Sequence, residues 1–195
     1  MQIAAFYHVN GIEGRNWRPD WHSLARLGDQ KQVQQFILDS GIKRLVLLED
    51  FVGSGSQMLA GIRFAASLGT PLDILVVPLV LCPEGGRTGR DVVATFNNVR
   101  FSPVLELTAE NFVAVTPNPS ELPLFSSIRN LALGLYASVS DRQPPDDAVK
   151  PYGPFGFART GSLSVPYANC PDNTLPLIHH SSQTWKPLFP RATRI

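Results

Sequence analysis

The stretch KRLVLLEDFVGSGSQ, residues 43–57, decides how the rest of this chain is read. Its unbroken Leu/Val run at 45–48 is the pattern of a parallel strand buried on both faces, because such a strand shows no polar side to water. Two acids follow, Glu49 and Asp50, then Phe51 and Val52, then a Gly-Ser-Gly-Ser loop. Beyond the loop, Leu59, Ile62, Ala65 and Ala66 recur on one side, which predicts a helix over 57–68 that Gly69 and Pro71 stop. Residues 72–81 return to a continuous apolar strand. Strand, helix and strand in this order make a βαβ unit with a right-handed crossover. The expected fold is α/β, an open, mainly parallel sheet flanked by helices.

Working outward, residues 3–9 (IAAFYHV) read as a strand and 11–20 as a loop, with Trp17 and Trp21 packing on a surface. A helix is expected over 30–39, with Asp29 as N-cap, Gln32 three positions on, and Val33, Phe36 and Ile37 as its apolar stripe. Gly41 ends it in a C-terminal cap. On the other side, 83–89 (PEGGRTG) reads as a loop and 88–96 as a helix burying Val92 and Val93. A third strand is expected at 104–107, a proline-rich loop at 116–123, and a helix at 128–138 carrying Ile128, Leu131, Ala132 and Leu135. From Asp141 the composition turns to Pro, Gly, Asn and aromatics, with short strands expected at 161–165 and 175–178. The division expected is an α/β core over 1–140 and an irregular Pro/Gly-rich C-terminal cover over 141–195, whose apolar residues are too scattered for a core of their own.

With 195 residues, 44% of them apolar and 17% charged, the chain has a globular composition and can bury a sizeable core. Its net charge of +1 gives no electrostatic reason to expect nucleic acid or an anionic membrane as partner. The apolar run at 74–82 is strand length, far short of a membrane span. Met1 to Val9 lacks the basic start and length of a secretory signal. The two cysteines, Cys82 and Cys170, suit neither a disulfide framework nor a metal site. The location expected is a reducing cytoplasm.

In an open parallel sheet, ligands bind beyond the carboxyl ends of the strands. The strand ending at Leu48 therefore delivers Glu49 and Asp50 to that edge, where adjacent carboxylates suit the vicinal hydroxyls of a ribose. Gly53, Ser54, Gly55 and Ser56 then bring backbone N–H groups, hydroxyls and the positive end of a helix, a combination that binds phosphate without a lysine. A Walker A loop is excluded, since no lysine occurs from 49 to 81, and a dinucleotide fingerprint fails at Met58. The competing reading is a plain helix-opening turn capped by Asp50, its acids solvated. Arg87 and Arg90 are candidates to clamp a pyrophosphate, against solvated arginines of a surface loop. Asp172 and Asn173, in NCPDNT at 169–174, are candidates to face the site, against simple Asx capping of a turn. Cys170 has no identifiable base. His179 and His180, read as neighbours on a strand, point to opposite faces and suit packing better than metal binding.

The segment LLEDFVGSGSQ resembles the phosphoribosyl-diphosphate signature of type I phosphoribosyltransferases. Its Phe-Val-Gly-Ser-Gly variant resembles the phosphoribosyltransferase-like domains of bacterial conflict systems, the PRTase-CE type. GPFGF at 153–157, NCPDNTLPL at 169–177 and WKPLFPR at 185–191 fit that branch too. The resemblance implies that Glu49 and Asp50 hold ribose hydroxyls and that Gly53, Ser54, Gly55 and Ser56 hold the 5′-phosphate. Gln57 stands where many such enzymes carry Thr, and Glu49 replaces the usual first Asp. The ligand implied is phosphoribosyl diphosphate or a nucleotide, with Mg²⁺ carried on the diphosphate; no catalytic residue and no protein-held metal follow. A protein partner from a defence operon is implied as well. The family's pyrophosphate-gripping loop belongs upstream, where Asn10 to Arg15 is the candidate. Two functions stay open: a phosphoribosyltransferase-like domain that turns over, or an inactive ligand- or partner-binding module that retains the phosphate turn.

Overall fold

The computed structural model describes residues 29–69, 71–117, 119, 121–141, 152–166 and 170–190. They fall in two compact units, Met1–Glu106 and Leu107–Ile195. The strand expected at 3–9, the loop at 11–20, Trp17, Trp21, the candidate pyrophosphate turn at 10–15 and most of the 141–147 linker lie outside the described residues.

The first unit is α/β. Helix α1 (Gln30–Asp39) begins at Asp29, whose carboxylate accepts the Gln32 N–H at 2.9 Å, and stops at Gly41, which takes the left-handed φ of +62°. Strand β1 (Arg44–Val52), helix α2 (Ser56–Ala66) and strand β2 (Asp73–Leu81) form the expected βαβ unit, β1 and β2 pairing in parallel from Arg44↔Asp73 to Val52↔Leu81. Helix α3 (Pro83–Thr95) leads to β3 (Val99–Phe101) and β4 (Leu105–Glu106), both parallel to β2 on its far side. The core gathers Val33 and Ile37 of α1, Met58, Ile62 and Ala65 of α2, Val92 of α3, and Ile74, Val76 and Leu81 of β2.

Val93, expected to be buried beside Val92, keeps 37% of its surface, and three further expectations fail in this unit. β1 is not buried on both faces: Val46 keeps 52% of its surface, while Leu45 and Leu47 on the alternate positions pack on the helical core. The third strand is not a single run at 104–107. It comprises two pieces at one register, Val76↔Phe101 and Val80↔Leu105, which sets Pro78 opposite Pro103 between them. Pro78 has no N–H to donate toward this strand, so the ladder loses a bond there, although the Ser102 and Val104 N–H groups still reach the Val76 and Pro78 carbonyls at 2.9 Å each.

The third failure is the loop at 83–89, which is the first part of helix α3. Pro83 sits at N1, where its missing N–H costs nothing. Glycines inside a helix argue against helix locally, at up to about 1 kcal/mol each relative to Ala. Here tertiary contact demands them. A Cβ on Gly85 would lie 2.6 Å from Val52 Cγ1 and 2.8 Å from the Gly53 carbonyl. Only a residue without a side chain lets α3 come so near the end of β1.

In the second unit, a 3₁₀ turn (Ala109–Asn111) precedes helix α4 (Pro123–Val139), hairpin strands β5 (Tyr152–Gly153) and β6 (Gly156–Phe157), and the single helical turn α5 (Pro176–His179). Its apolar cluster of Val113, Phe155 and Leu175, with Phe125, Ile128, Leu163, Leu177 and Ile178 around it, draws on both sides of residue 141. The strand expected at 161–165 reduces to isolated bridges at Ser162, and the one expected at 175–178 is α5, because Pro176 at N1 starts a helical turn. His179 therefore belongs to a helical turn. It is buried, and Nε2 carries the proton that the Thr174 carbonyl accepts at 3.2 Å.

The Arg129–Glu121 pair is also buried in this unit. The Arg129 guanidinium donates to both Glu121 oxygens, and its Nε donates to the Ala114 carbonyl at 2.6 Å. The Glu121 hydrogen bonds raise the Arg129 pKa above its ordinary value, so the charge is fixed.

Candidate phosphate-binding turn

Residues 53–57 join the carboxyl end of β1 to the start of α2, and their backbone orientation is imposed from behind by the segment that follows β2. The Val52 carbonyl accepts the Cys82 N–H at 2.9 Å, and the Gly53 carbonyl accepts the Gly85 N–H at 2.8 Å. The Ser54 carbonyl accepts the Thr88 hydroxyl at 3.0 Å. In a trans peptide the C=O and the following N–H point in opposite directions, and the described residues contain no cis bond. Pinning three consecutive carbonyls toward the β2–α3 segment therefore aims the N–H groups of Gly53, Ser54 and Gly55 away from it. None of these three has a hydrogen-bond partner among the described residues.

Gly55 makes the turn possible. Its φ of +85° is left-handed, and an added Cβ would lie 2.9 Å from Thr88 Cβ. It is the N-cap of α2, which has no side-chain cap; Asp50 does not fill that role. The first helical bond runs from the Leu59 N–H to the Gly55 carbonyl at 2.8 Å. The N–H groups of Gln57 and Met58 are left without partners among the described residues. The exposed Ser56 and the half-buried Ser54 bring their hydroxyls within 3.2 Å of each other at the same place. Free N–H groups, hydroxyls and a helix N-terminus together favour an oxyanion.

Alternation along a strand sends Glu49 and Asp50 to opposite faces, but alternation breaks just here. The carbonyls of Lys43 and Val52 both face β2, accepting from Asp73 and Cys82 at 2.9 Å each, although they stand an odd interval apart. Leu45, Leu47 and Val52 likewise share one core cluster. At the break the Phe51 N–H turns to Asp50 Oδ1 at 2.9 Å. Glu49 is half-buried, and burial, then the neighbouring Asp50 charge, pushes its carboxyl pKa above the ordinary value. Two coupled carboxylates thus stand just ahead of a turn rich in donors.

The other candidate residues are placed differently. Arg87 and Arg90 stand exposed on helix α3 rather than on a loop, and Arg90 pairs with Glu106 at 3.6 Å. Asn173 spends its amide on structure, donating to the Thr160 hydroxyl at 2.9 Å and the Phe157 carbonyl at 3.3 Å. Asp172 gives its carbonyl to the Phe157 N–H at 2.7 Å. These bonds show why GPFGF and NCPDNT occur together: each holds the other's turn. Cys82 is buried, and burial, then the Glu84 charge, pushes its thiol pKa up to about 12. Cys170 is buried as well. An open cleft of about 550 Å³ along β3, lined by Leu75, Arg90, Val93, Arg100, Phe101 and Ser102, includes none of the turn's residues.

Among the described residues no three His, Cys, Asp or Glu side chains converge to hold a metal ion. No helix of the described residues is long and apolar enough to cross a membrane. Thr88 and Gly85, which orient the turn, carry no signal in the local sequence. Only their tertiary contacts reveal them.

Fold and turn together define an α/β domain whose parallel sheet ends, at its carboxyl edge, in a backbone-donor turn behind two acids. The family model PRTase-CE matches residues 4–191, and the chain belongs to this phosphoribosyltransferase-like family. Searches of curated proteins and of solved structures returned no match.

Proposed function

We propose that this domain binds a phosphoribosyl ligand, phosphoribosyl diphosphate or a related nucleotide, at the carboxyl edge of β1. The N–H groups of residues 53–55, 57 and 58 and the hydroxyls of Ser54 and Ser56 take the 5′-phosphate. Glu49 and Asp50 accept hydrogen bonds from the ribose hydroxyls. The observation that carries this reading is the pinning of three consecutive carbonyls, which leaves a run of donors aimed outward directly after an acid pair. Mg²⁺ arrives on the ligand's diphosphate and neutralises part of its charge. Family membership supports a setting in bacterial conflict systems, with the domain acting in the cytoplasm as an effector beside a protein partner.

A second reading is favoured by the helix at Pro83–Thr95. The segment from which an arginine loop was to close over pyrophosphate is helix, and its N-terminal bonds are spent on the turn. On this reading the domain binds its ligand without releasing pyrophosphate.

Thermal shift with phosphoribosyl diphosphate and Mg²⁺ tests the first reading, comparing the natural chain with Glu49→Ala/Asp50→Ala. Stabilisation that disappears in the double variant supports it, and no shift in either protein sinks it for this ligand. Pyrophosphate release measured on the same samples separates the two readings: release favours turnover, and binding without release favours the inactive module.

A further inference from the structure

We infer that Thr88 is a positioning residue for this site: its hydroxyl sets the Ser54–Gly55 peptide so that the Gly55 N–H faces the ligand's phosphate. The inference rests on the reading of 53–58 as a phosphate cradle and adds to it a residue from another element, in a segment whose sequence points to a mobile loop.

The argument is geometric. The Gly53 carbonyl is held by a backbone N–H, that of Gly85 at 2.8 Å. Among the described residues the Ser54 carbonyl has only a side-chain donor, Thr88 Oγ1 at 3.0 Å. Gly55 sits in the left-handed region and has no side chain to restrain it, so the 54–55 peptide is the one least fixed by its own residues. The Thr88 hydroxyl has a competing acceptor one turn back, the Glu84 carbonyl at 3.3 Å. When it turns there, the Ser54 carbonyl loses its tether and the peptide is free to rotate. A flipped 54–55 peptide would present a carbonyl oxygen to the phosphate in place of an N–H, replacing attraction with repulsion. Thr88 does not itself touch the ligand. It acts through the peptide plane.

The test is a ¹H–¹⁵N titration of the full chain with ribose 5-phosphate, comparing the natural protein with Thr88→Val and Thr88→Ser. Val keeps the shape packed against Gly55 and removes the donor, and Ser keeps the donor. The expected result is ligand-induced shifts of the Gly53–Met58 amides in the natural protein and in Thr88→Ser. Thr88→Val should bind roughly tenfold more weakly, the effect of one lost hydrogen bond of about 1.4 kcal/mol. Its Gly55 amide resonance should already be displaced before ligand is added, a change that a general loss of stability would not confine to that site. Equal affinity in Thr88→Val, or equal weakening in Thr88→Ser, overturns the inference. If the natural protein itself shows no shifts in these amides, the phosphate-cradle reading fails, and Thr88 with it. Should Thr88→Val not fold, Thr88→Ala removes the same donor and is judged against Thr88→Ser by the same criteria.

Discussion

Gly85→Ala puts the packing behind the turn to a quantitative test. In an ordinary helix this change stabilises, by up to about 1 kcal/mol. Here the new methyl carbon would meet Val52 Cγ1 at 2.6 Å, the Gly53 carbonyl oxygen at 2.8 Å and the Val52 carbonyl oxygen at 3.0 Å. Two of the three neighbours are backbone and cannot rotate away. Helix α3 must back off, which strains the core by about 1–3 kcal/mol and stretches the 2.8 Å bond from the Gly85 N–H to the Gly53 carbonyl, worth about 1 kcal/mol. Set against the gain in helix propensity, the net loss is about 1–3 kcal/mol. With a urea m-value of about 2 kcal/mol/M, the midpoint falls by roughly 1 M. Gly61→Ala is the control: Gly61 lies inside α2, and beyond the helix's own nearby backbone no described atom lies within 4 Å of the added carbon, so its midpoint should rise. Urea melts followed by circular dichroism read both. A Gly85→Ala midpoint at or above that of the natural chain refutes the close approach of α3 to the end of β1.

Three further outcomes follow from the same geometry. Glu49→Gln should raise the melting temperature at neutral pH while weakening ligand binding. Burial and Asp50 hold the folded carboxyl's pKa above its unfolded value, so the native state binds the extra proton and loses stability as pH rises through that interval; the variant should lack this decline in melts taken across pH. Glu121→Ala should lower the urea midpoint more than the double variant Glu121→Leu/Arg129→Met, because the single change leaves a buried guanidinium unpaired; a smaller loss in the single variant contradicts the buried pair. Cys82, its thiol pushed up to about 12, should resist iodoacetamide at pH 8 in the native chain and react once denatured, which peptide mass spectrometry reads.

How much of this was legible depended on where the determining contacts lie. The βαβ unit was readable because its signals are local: an apolar strand, a Gly/Ser loop before a periodic helix, and a second apolar strand. The acids and the Gly/Ser turn were readable for the same reason. Helix α3 was not, since PEGGRTG carries every local mark of a loop, and its glycines are explained only by Val52 and the Gly53 carbonyl across the fold. The run LPLI at 175–178 is too short for periodicity to tell strand from helix, and Pro176 decides it at N1. The division of β3 from β4 needed the register, which alone sets Pro78 against Pro103. Thr88 was invisible for a deeper reason: its role belongs to a peptide plane thirty-four residues away in sequence.

The most direct test of the central claim is a crystal structure of the full chain grown with phosphoribosyl diphosphate and Mg²⁺. The account predicts 5′-phosphate oxygens at about 2.7–3.2 Å from the backbone nitrogens of Gly53, Ser54 and Gly55, with ribose hydroxyls on Glu49 and Asp50. A ligand seated instead in the cleft between Arg90 and Arg100, with the turn empty, would contradict it.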